Sequence, residues 1–327
     1  MGRGAGGDLT RWLSRRLFRL PRTALLGLAC ACLALVPPPA VAARVTVVLS
    51  DDSAPYQEVY QVIRSFLDDG PHVLSRTYAA GLAASSLNDA QLAVAVGVRA
   101  AESVAALPVR TPVLAVLVPR TWYVKSGRAR LADSGRRGAS AIYLDQPFER
   151  QAQLIRLAFP EARRVGVLLS TEQAGLATEL DDALRAQQLD LVLGTLSDEA
   201  RLIAPLETVL SGADVLLAET DPLVYNRNTA QSLFLTSYRY RVPVLGYSRS
   251  LTRAGALVSL HSSPAQIGRQ AAETVIAALQ GGSVRLPLPL PAYPAYFSIS
   301  INEQVARSLG YTLLPEAELE KRLGAPR

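Results

Sequence analysis

Beyond residue 42 this 327-residue chain contains no cysteine, since Cys30 and Cys32 are its only two. It has no methionine after the first residue and only two histidines, His72 and His261, which stand far apart in sequence. These absences exclude a disulfide framework, a thiol nucleophile and a methionine-rich copper site after residue 42, and they leave no His–Cys set with zinc-ligand spacing. Two isolated histidines assemble no Ser-His-acid arrangement. No Gly-x-Gly-x-x-Gly follows the first apolar strand and no Gly-x-x-x-x-Gly-Lys-Ser/Thr loop occurs, so dinucleotide and phosphate-loop chemistry lack their signatures. Carboxylates such as Asp51 and Asp221 can in principle face each other as a glycosidase requires, but turn and cap roles explain them more simply. The chain is expected to be no enzyme and to carry no cofactor or metal.

A surplus of positive charge is also missing where it would matter. The formal net charge is +6, but six of the 34 Lys and Arg and one of the 28 Asp and Glu precede residue 43. Residues 43–327 hold 28 basic against 27 acidic side chains, a balance of +1. Nucleic-acid binding, which relies on basic surface, loses its main support.

The early basic residues have another use. Arg11, Arg15, Arg16, Arg19 and Arg22 precede an apolar run from Thr23 to Val36, then Pro37-Pro38-Pro39 and the small-residue site Ala40-Val41-Ala42. That order is the build of a secretory signal peptide covering residues 1–42, and it implies a periplasmic location. The apolar run is shorter than the ~20 residues that span a bilayer. A retained membrane anchor is the rival reading, and a lipid anchor at Cys30 or Cys32 another. Gly27-Leu28-Ala29 lacks the leucine expected three residues ahead of a lipidated cysteine.

Short apolar runs alternate with helical spacing through the remainder. Arg44 to Ser50, Leu92 to Val96 and Val113 to Val118 read as strands, closed by polar residues, Gly97 and Pro119. Between them Val59, Val62, Ile63, Phe66 and Leu67 are spaced to share one helix face. The basic, glycine-bearing stretch Lys125–Ser140 reads as a surface loop or hairpin, and Ala141–Asp145 as a crossing segment. A second series comes after it, with strands at Arg164–Ser170, Asp190–Gly194, Ala213–Ala218 and Val242–Gly246 and helices between them. Continuous apolar strands suit parallel sheets covered on both faces. The fold class expected is therefore α/β, with two Rossmann-like lobes in tandem. Ligands of open sheets sit at the carboxyl ends of the strands, and two such sheets face each other across a cleft that closes by hinge motion.

From about Tyr143 onward the chain resembles the periplasmic substrate-binding proteins of ABC transporters, in particular tryptophan- and tyrosine-binding members. The resemblance lies in Ala213-Asp214-Val215-Leu216-Leu217-Ala218-Glu219-Thr220-Asp221-Pro222-Leu223-Val224-Tyr225, in Arg241–Arg249 followed by Ala254–Ser259, and in Ile301–Tyr311. It implies a type I periplasmic-binding fold with a multi-strand hinge. Lobe 1 would comprise 43–142 plus about 255–285, and lobe 2 143–254 plus about 286–327. Gly281-Gly282 and the proline-rich stretch Pro287–Pro294 read as the linker returning between lobes. The partners implied are a small-molecule ligand and an inner-membrane ABC permease, for a protein acting as a monomer. The departures are Gly97-Val98-Arg99-Ala100, Ser170-Thr171-Glu172-Gln173 and Val118-Pro119-Arg120-Thr121-Trp122-Tyr123, where the family has Thr-Pro-Ala, Asn-Pro and Gly-Asp-Pro turns. Amino-acid specificity therefore does not carry over whole.

Candidate ligand contacts follow the strand ends. In the first lobe they are Asp51, Ser53, Tyr56, Arg99, Arg120 and Trp122; in the second, Ser170, Thr171, Glu219, Asp221, Tyr247 and Ser248. Asp51 and Ser53 have a competing role as helix caps. Arg99 and Arg120 suit a carboxylate or phosphate, or are simply solvated. Trp122 can stack on a flat ligand or pack at the hinge. Ser170 and Thr171 precede a helix. Glu219 and Asp221 can receive an ammonium group, although Asp221-Pro222 also reads as a tight turn. An envelope accessory protein acting through protein–protein contacts is the alternative to a solute carrier.

Overall fold

The computed structural model describes residues 42–325 except 69, 134–136 and 280–282. Residues 1–41 of the expected signal peptide, the alternative anchor at Cys30 or Cys32, and the Gly281-Gly282 link lie outside the described residues.

The first lobe is built from β1 (Arg44–Leu49), α1 (Ala54–Leu67), β2 (Val73–Tyr78), β3 (Leu92–Val96), α2 (Val98–Ala105), β4 (Val113–Val118), α3 (Arg128–Ala132) and β5 (Ala139–Tyr143). Its five strands are parallel in the order β2-β1-β3-β4-β5. β1 and β3 are apolar at nearly every position because both faces are covered. Val45, Val47 and Leu49 point to a core shared with α1, whereas Val48, Ala93 and Ala95 point to the core under α2 and α3. Each fully buried valine or leucine stabilises the fold by roughly 1.5–3 kcal/mol. In α1 the buried face is Val59, Ile63 and Leu67 at four-residue spacing. Phe66, expected on that face, is 41% exposed.

The second lobe comprises α4 (Phe148–Ala158), β6 (Arg164–Ser170), α5 (Ala177–Arg185), β7 (Asp190–Leu196), α6 (Ile203–Gly212), β8 (Val215–Leu217), α7 (Ala230–Arg239), β9 (Val244–Gly246), α8 (Arg249–Ala254) and β10 (Val258–His261). The chain then forms α9 (Pro264–Ala278), β11 (Ser298–Ile301), α10 (Glu303–Leu309) and α11 (Glu316–Arg322). The sheet order is β11-β10-β9-β8-β6-β7, parallel except for β11, which runs antiparallel to β10. Glu316 and Glu320 of α11 accept the outward N–H groups of Ile301 and Ile299, which satisfies the edge of β11.

Three differences from expectation concern chain path. The Lys125–Ser140 stretch is mostly helical: a helical turn at Arg120–Trp122 runs into a π turn at Tyr123–Gly127 and then α3. Tyr123, Gly127 and Leu131, four apart, form its buried face, while Lys125, Arg128 and Arg130 face water. Ala139–Tyr143 is a full strand of the first sheet, so the chain crosses only after Tyr143. The expected division also shifts: β10, expected within lobe 1, hydrogen-bonds into the second sheet, whereas α9 after it packs on α1. Gly268 permits that close approach, since a Cβ there would lie 3.1 Å from the Val59 carbonyl oxygen. Residues 288–293, expected with lobe 2, run beside β5: Ser140 Oγ donates to the Pro289 carbonyl, and Ala292 pairs with Ile142. The lobes are thus joined at 144–147, 262–263 and 294–297.

Candidate functional site

The cleft-facing end of the first lobe is a polar rim around a tight backbone turn. Gly97 adopts φ 87° and ψ 163° at the start of α2, a conformation that side chains rarely tolerate. A Cβ there would fall 2.5 Å from Ser50 Oγ and 3.0 Å from the Tyr56 ring. Ser50 is buried; its hydroxyl donates to the Val96 carbonyl at 2.8 Å and accepts the Ala100 N–H at 3.0 Å, fixing the ends of β1 and β3 against α2. Sequence reasoning passed over Ser50, although a serine at a strand end just before a helix is a local signal.

The charges around this turn are exposed and internally bonded. Asp51 Oδ1 accepts the Ser53 N–H at 2.9 Å, and neither side chain caps α1. The Ser53 hydroxyl first, then its N–H, with Arg99 nearby, hold the Asp51 carboxyl below its ordinary value. Arg99 is exposed and Tyr56 half-buried over Gly97. Trp122 turns away from this group: its indole N–H donates to Glu102 at 3.3 Å, and its ring covers Gly127. Arg120 is engaged with the other lobe, donating from its guanidinium to Glu179 Oε2 at 2.7 Å and from its backbone N–H to Asp145 Oδ2 at 2.6 Å.

The opposing strand ends are buried. Asp221, 1% exposed, accepts the Ser170 N–H at 2.7 Å and the Leu223 N–H at 3.1 Å. It ties β6 to the turn after β8, which is a structural duty. Ser170 is buried with it, while Thr171 is exposed. Two residues before Asp221, Glu219 is 4% exposed and its Oε1 has no hydrogen-bond partner. Burial raises its carboxyl well above the ordinary range, and the Asp145 charge adds to the shift. Asp145 itself binds both lobes, accepting from Arg120 and from the Thr220 hydroxyl.

Aromatic groups stand behind this acidic floor. Tyr247 and Tyr225 pack edge to face with centroids 6.0 Å apart. Burial pushes the Tyr247 phenol up to about 12, with Asp221 and Glu219 contributing, and the buried Tyr225 hydroxyl has no partner. The Gln151 side-chain oxygen, beside Glu219, is also unbonded. Tyr225 and Gln151 were not anticipated as site residues; Tyr225 closes the family-like segment after β8, but nothing local marks Gln151. Ser248 accepts the Leu251 N–H at 3.2 Å and so caps α8. Tyr247 and Ser248 also line a cavity of about 650 Å³ together with Pro55 and Glu58 of the first lobe and Leu144, Ser262 and Ser298 near the crossings. His261 in its wall is bonded to Ser300, and burial with Arg249 nearby holds it below its ordinary value.

Two parallel α/β lobes linked by three crossings, with polar strand ends facing each other, define a type I periplasmic-binding architecture. The profile described as ABC transporter substrate binding protein matches residues 87–319, and the chain belongs to that family. No curated protein matches the chain significantly. Among solved structures it is similar to a ligand-free, open substrate-binding protein with adhesive properties from Clostridium difficile, at 16% identity and TM-score 0.65, over 84% of this chain and 97% of that one. It is also similar to a conserved domain protein from Vibrio cholerae (20%, TM-score 0.58, 87% and 99% covered). A third is an ABC domain in complex with L-Trp from Streptococcus pneumoniae (15%, TM-score 0.57, 87% and 99% covered).

Proposed function

We propose that the chain is the periplasmic receptor of an ABC-type uptake system. In this reading it is exported, acts as a monomer, holds a small organic solute between its lobes and delivers it to an inner-membrane permease. The observation that carries the reading is the buried acidic and aromatic floor of the second lobe. Glu219 Oε1 has no hydrogen-bond partner and Asp221 accepts only backbone N–H groups among the described bonds, and an ammonium group would supply the charge that lets Glu219 release its proton. Arg99 on the first lobe, exposed at its strand end, suits a carboxylate. Tyr247 offers a ring edge to an apolar or aromatic portion. An amino-acid-like solute, aromatic ones first, satisfies all three demands; L-Trp is bound by the pneumococcal protein of like fold.

The test is a melting-temperature series of the purified chain against amino acids, purines, peptides and organic acids. A solute that binds only the folded state stabilises it by about 2.7 kcal/mol at one hundred times Kd. An aromatic amino acid should give a saturable shift that R99A and E219Q each diminish. A flat response to every solute would sink the proposal. The accessory role keeps one specific support: a groove of about 450 Å³ between α7 and α10, lined by Phe234, Leu235, Tyr238 and Val305, with Leu235 58% exposed. Flat solute responses would favour it.

A further inference from the structure

The lobes also touch near the β6–β7 edge of the second sheet, whereas the crossings into α9 and from residue 297 into β11 adjoin its β10–β11 edge. On the first lobe this contact begins at a distorted strand end. The register of β4 against β5 shifts between Val116 and Val118, and Leu117 takes the left-handed conformation at φ 54°. A bulge of this kind redirects the chain beyond it and is retained despite its strain when the surroundings demand it. Two residues later come Pro119 and Arg120. The Arg120 side chain, 25% exposed, reaches Glu179 of α5 at 2.7 Å, and Asp145 anchors its backbone N–H. Five residues on, Lys125 Nζ donates to the Glu172 carbonyl at 2.6 Å, just past the end of β6. Burial alone would make the guanidinium easier to deprotonate; the Glu179 carboxylate together with the Tyr293 and Tyr143 phenols outweighs this and holds the proton more firmly than usual.

We propose that Arg120 and Glu179, backed by Lys125 on the Glu172 carbonyl, form an interlobe latch that keeps the lobes together before any solute binds. It works at the opposite edge of the second sheet from two of the three crossings, with the Arg120 backbone fixed to Asp145 of the third. The latch does not depend on which solute is carried. It sets the fraction of molecules already closed, and that fraction scales apparent affinity.

The experiment is small-angle X-ray scattering of the full chain without solute. Wild type should be compact at 0.1 M salt and expand at 1 M, where the screening length falls from about 10 Å to about 3 Å. E179Q should be expanded at 0.1 M and insensitive to salt, its closed-to-open ratio lowered about three- to fivefold, the scale of one partly exposed ion pair. E179R should open further, and the exchange R120E/E179R should restore compaction. K125A should open the chain in the same direction. Loss of the Asp181–Arg185 pair, which lies wholly within α5, should change nothing. Scattering of E179Q and K125A identical to wild type at both salts, or no recovery on charge exchange, would overturn the latch. Because no solute is present, either result leaves the receptor reading to be judged on its own test.

Discussion

At the end of β1 in the first lobe the acidic groups are exposed and satisfied locally, with Asp51 bonded to Ser53 and Asp52 to Gln57 and Tyr78. The second lobe's strand ends instead bury Glu219, Asp221 and Tyr225, and leave Glu219 Oε1 and the Tyr225 hydroxyl without partners. The difference is energetic. Exposed groups exchange partners with water at little net expense, while an unsatisfied buried polar atom costs about 1–3 kcal/mol. In the proposed receptor the first wall would adapt to a guest, and the second would be organised in advance around what it lacks. The end of β4 adds backbone strain, with Leu117 at φ 54°.

The contrast is easiest to break at Asp221. D221A removes the acceptor of two backbone N–H groups, one fully buried, and should lower unfolding free energy by about 2–4 kcal/mol in urea titrations. A loss below about 1 kcal/mol would mean the tie between β6 and the turn after β8 is dispensable. Next comes G97A, where a Cβ meets Ser50 in a backbone region close to glycine-only; about 1–3 kcal/mol should be lost. That value, from the rigid part of the first wall, should exceed any from its charged rim.

Glu219 sharpens the comparison through pH. Its folded-state affinity for a proton is raised, so between the ordinary carboxylate range and the raised value the folded protein holds a proton that the unfolded chain has released. Stability should then fall as pH rises through that window, by up to about 1.4 kcal/mol per pH unit. E219Q should match wild type near pH 4 and exceed it at pH 8, with the slope flattened. Parallel stability curves for the two proteins would show the carboxyl to be ordinary. The smallest effect is expected at Arg99: R99A should leave stability within about 0.5 kcal/mol, as surface substitutions do, while still weakening solute binding.

Much of the fold was legible because β1, β3, β4, β6 and β8 are apolar runs buried on both faces, and such runs advertise themselves. β2 escaped notice: Val73–Tyr78 is an edge strand with a mixed, half-exposed pattern and Arg76 in its middle. The helical stretch at 120–132 was hidden by lysine, glycine and arginine, although Tyr123, Gly127 and Leu131 carry the four-residue spacing. The membership of β10 depended on strand pairing between residues 258–259 and 245–246, which its sequence alone does not dictate.

Site residues divide in the same way. Strand ends could be located, so Asp51, Arg99, Glu219 and Tyr247 were reachable. Which of them is consumed by the fold could not be read locally. Asp221 is spent on Ser170, 51 residues away, and Arg120 on Glu179, 59 residues away. Those are tertiary facts carried by no motif.

Hydrogen exchange of backbone amides, with and without L-tryptophan or whichever solute shifts the melting temperature, tests the cleft most directly. Receptor action requires slowed exchange at residues 50–56 and 97–100 of the first wall together with 218–225 and 246–250 of the second. Protection confined to α7 and α10, or to one wall alone, would contradict capture between two lobes.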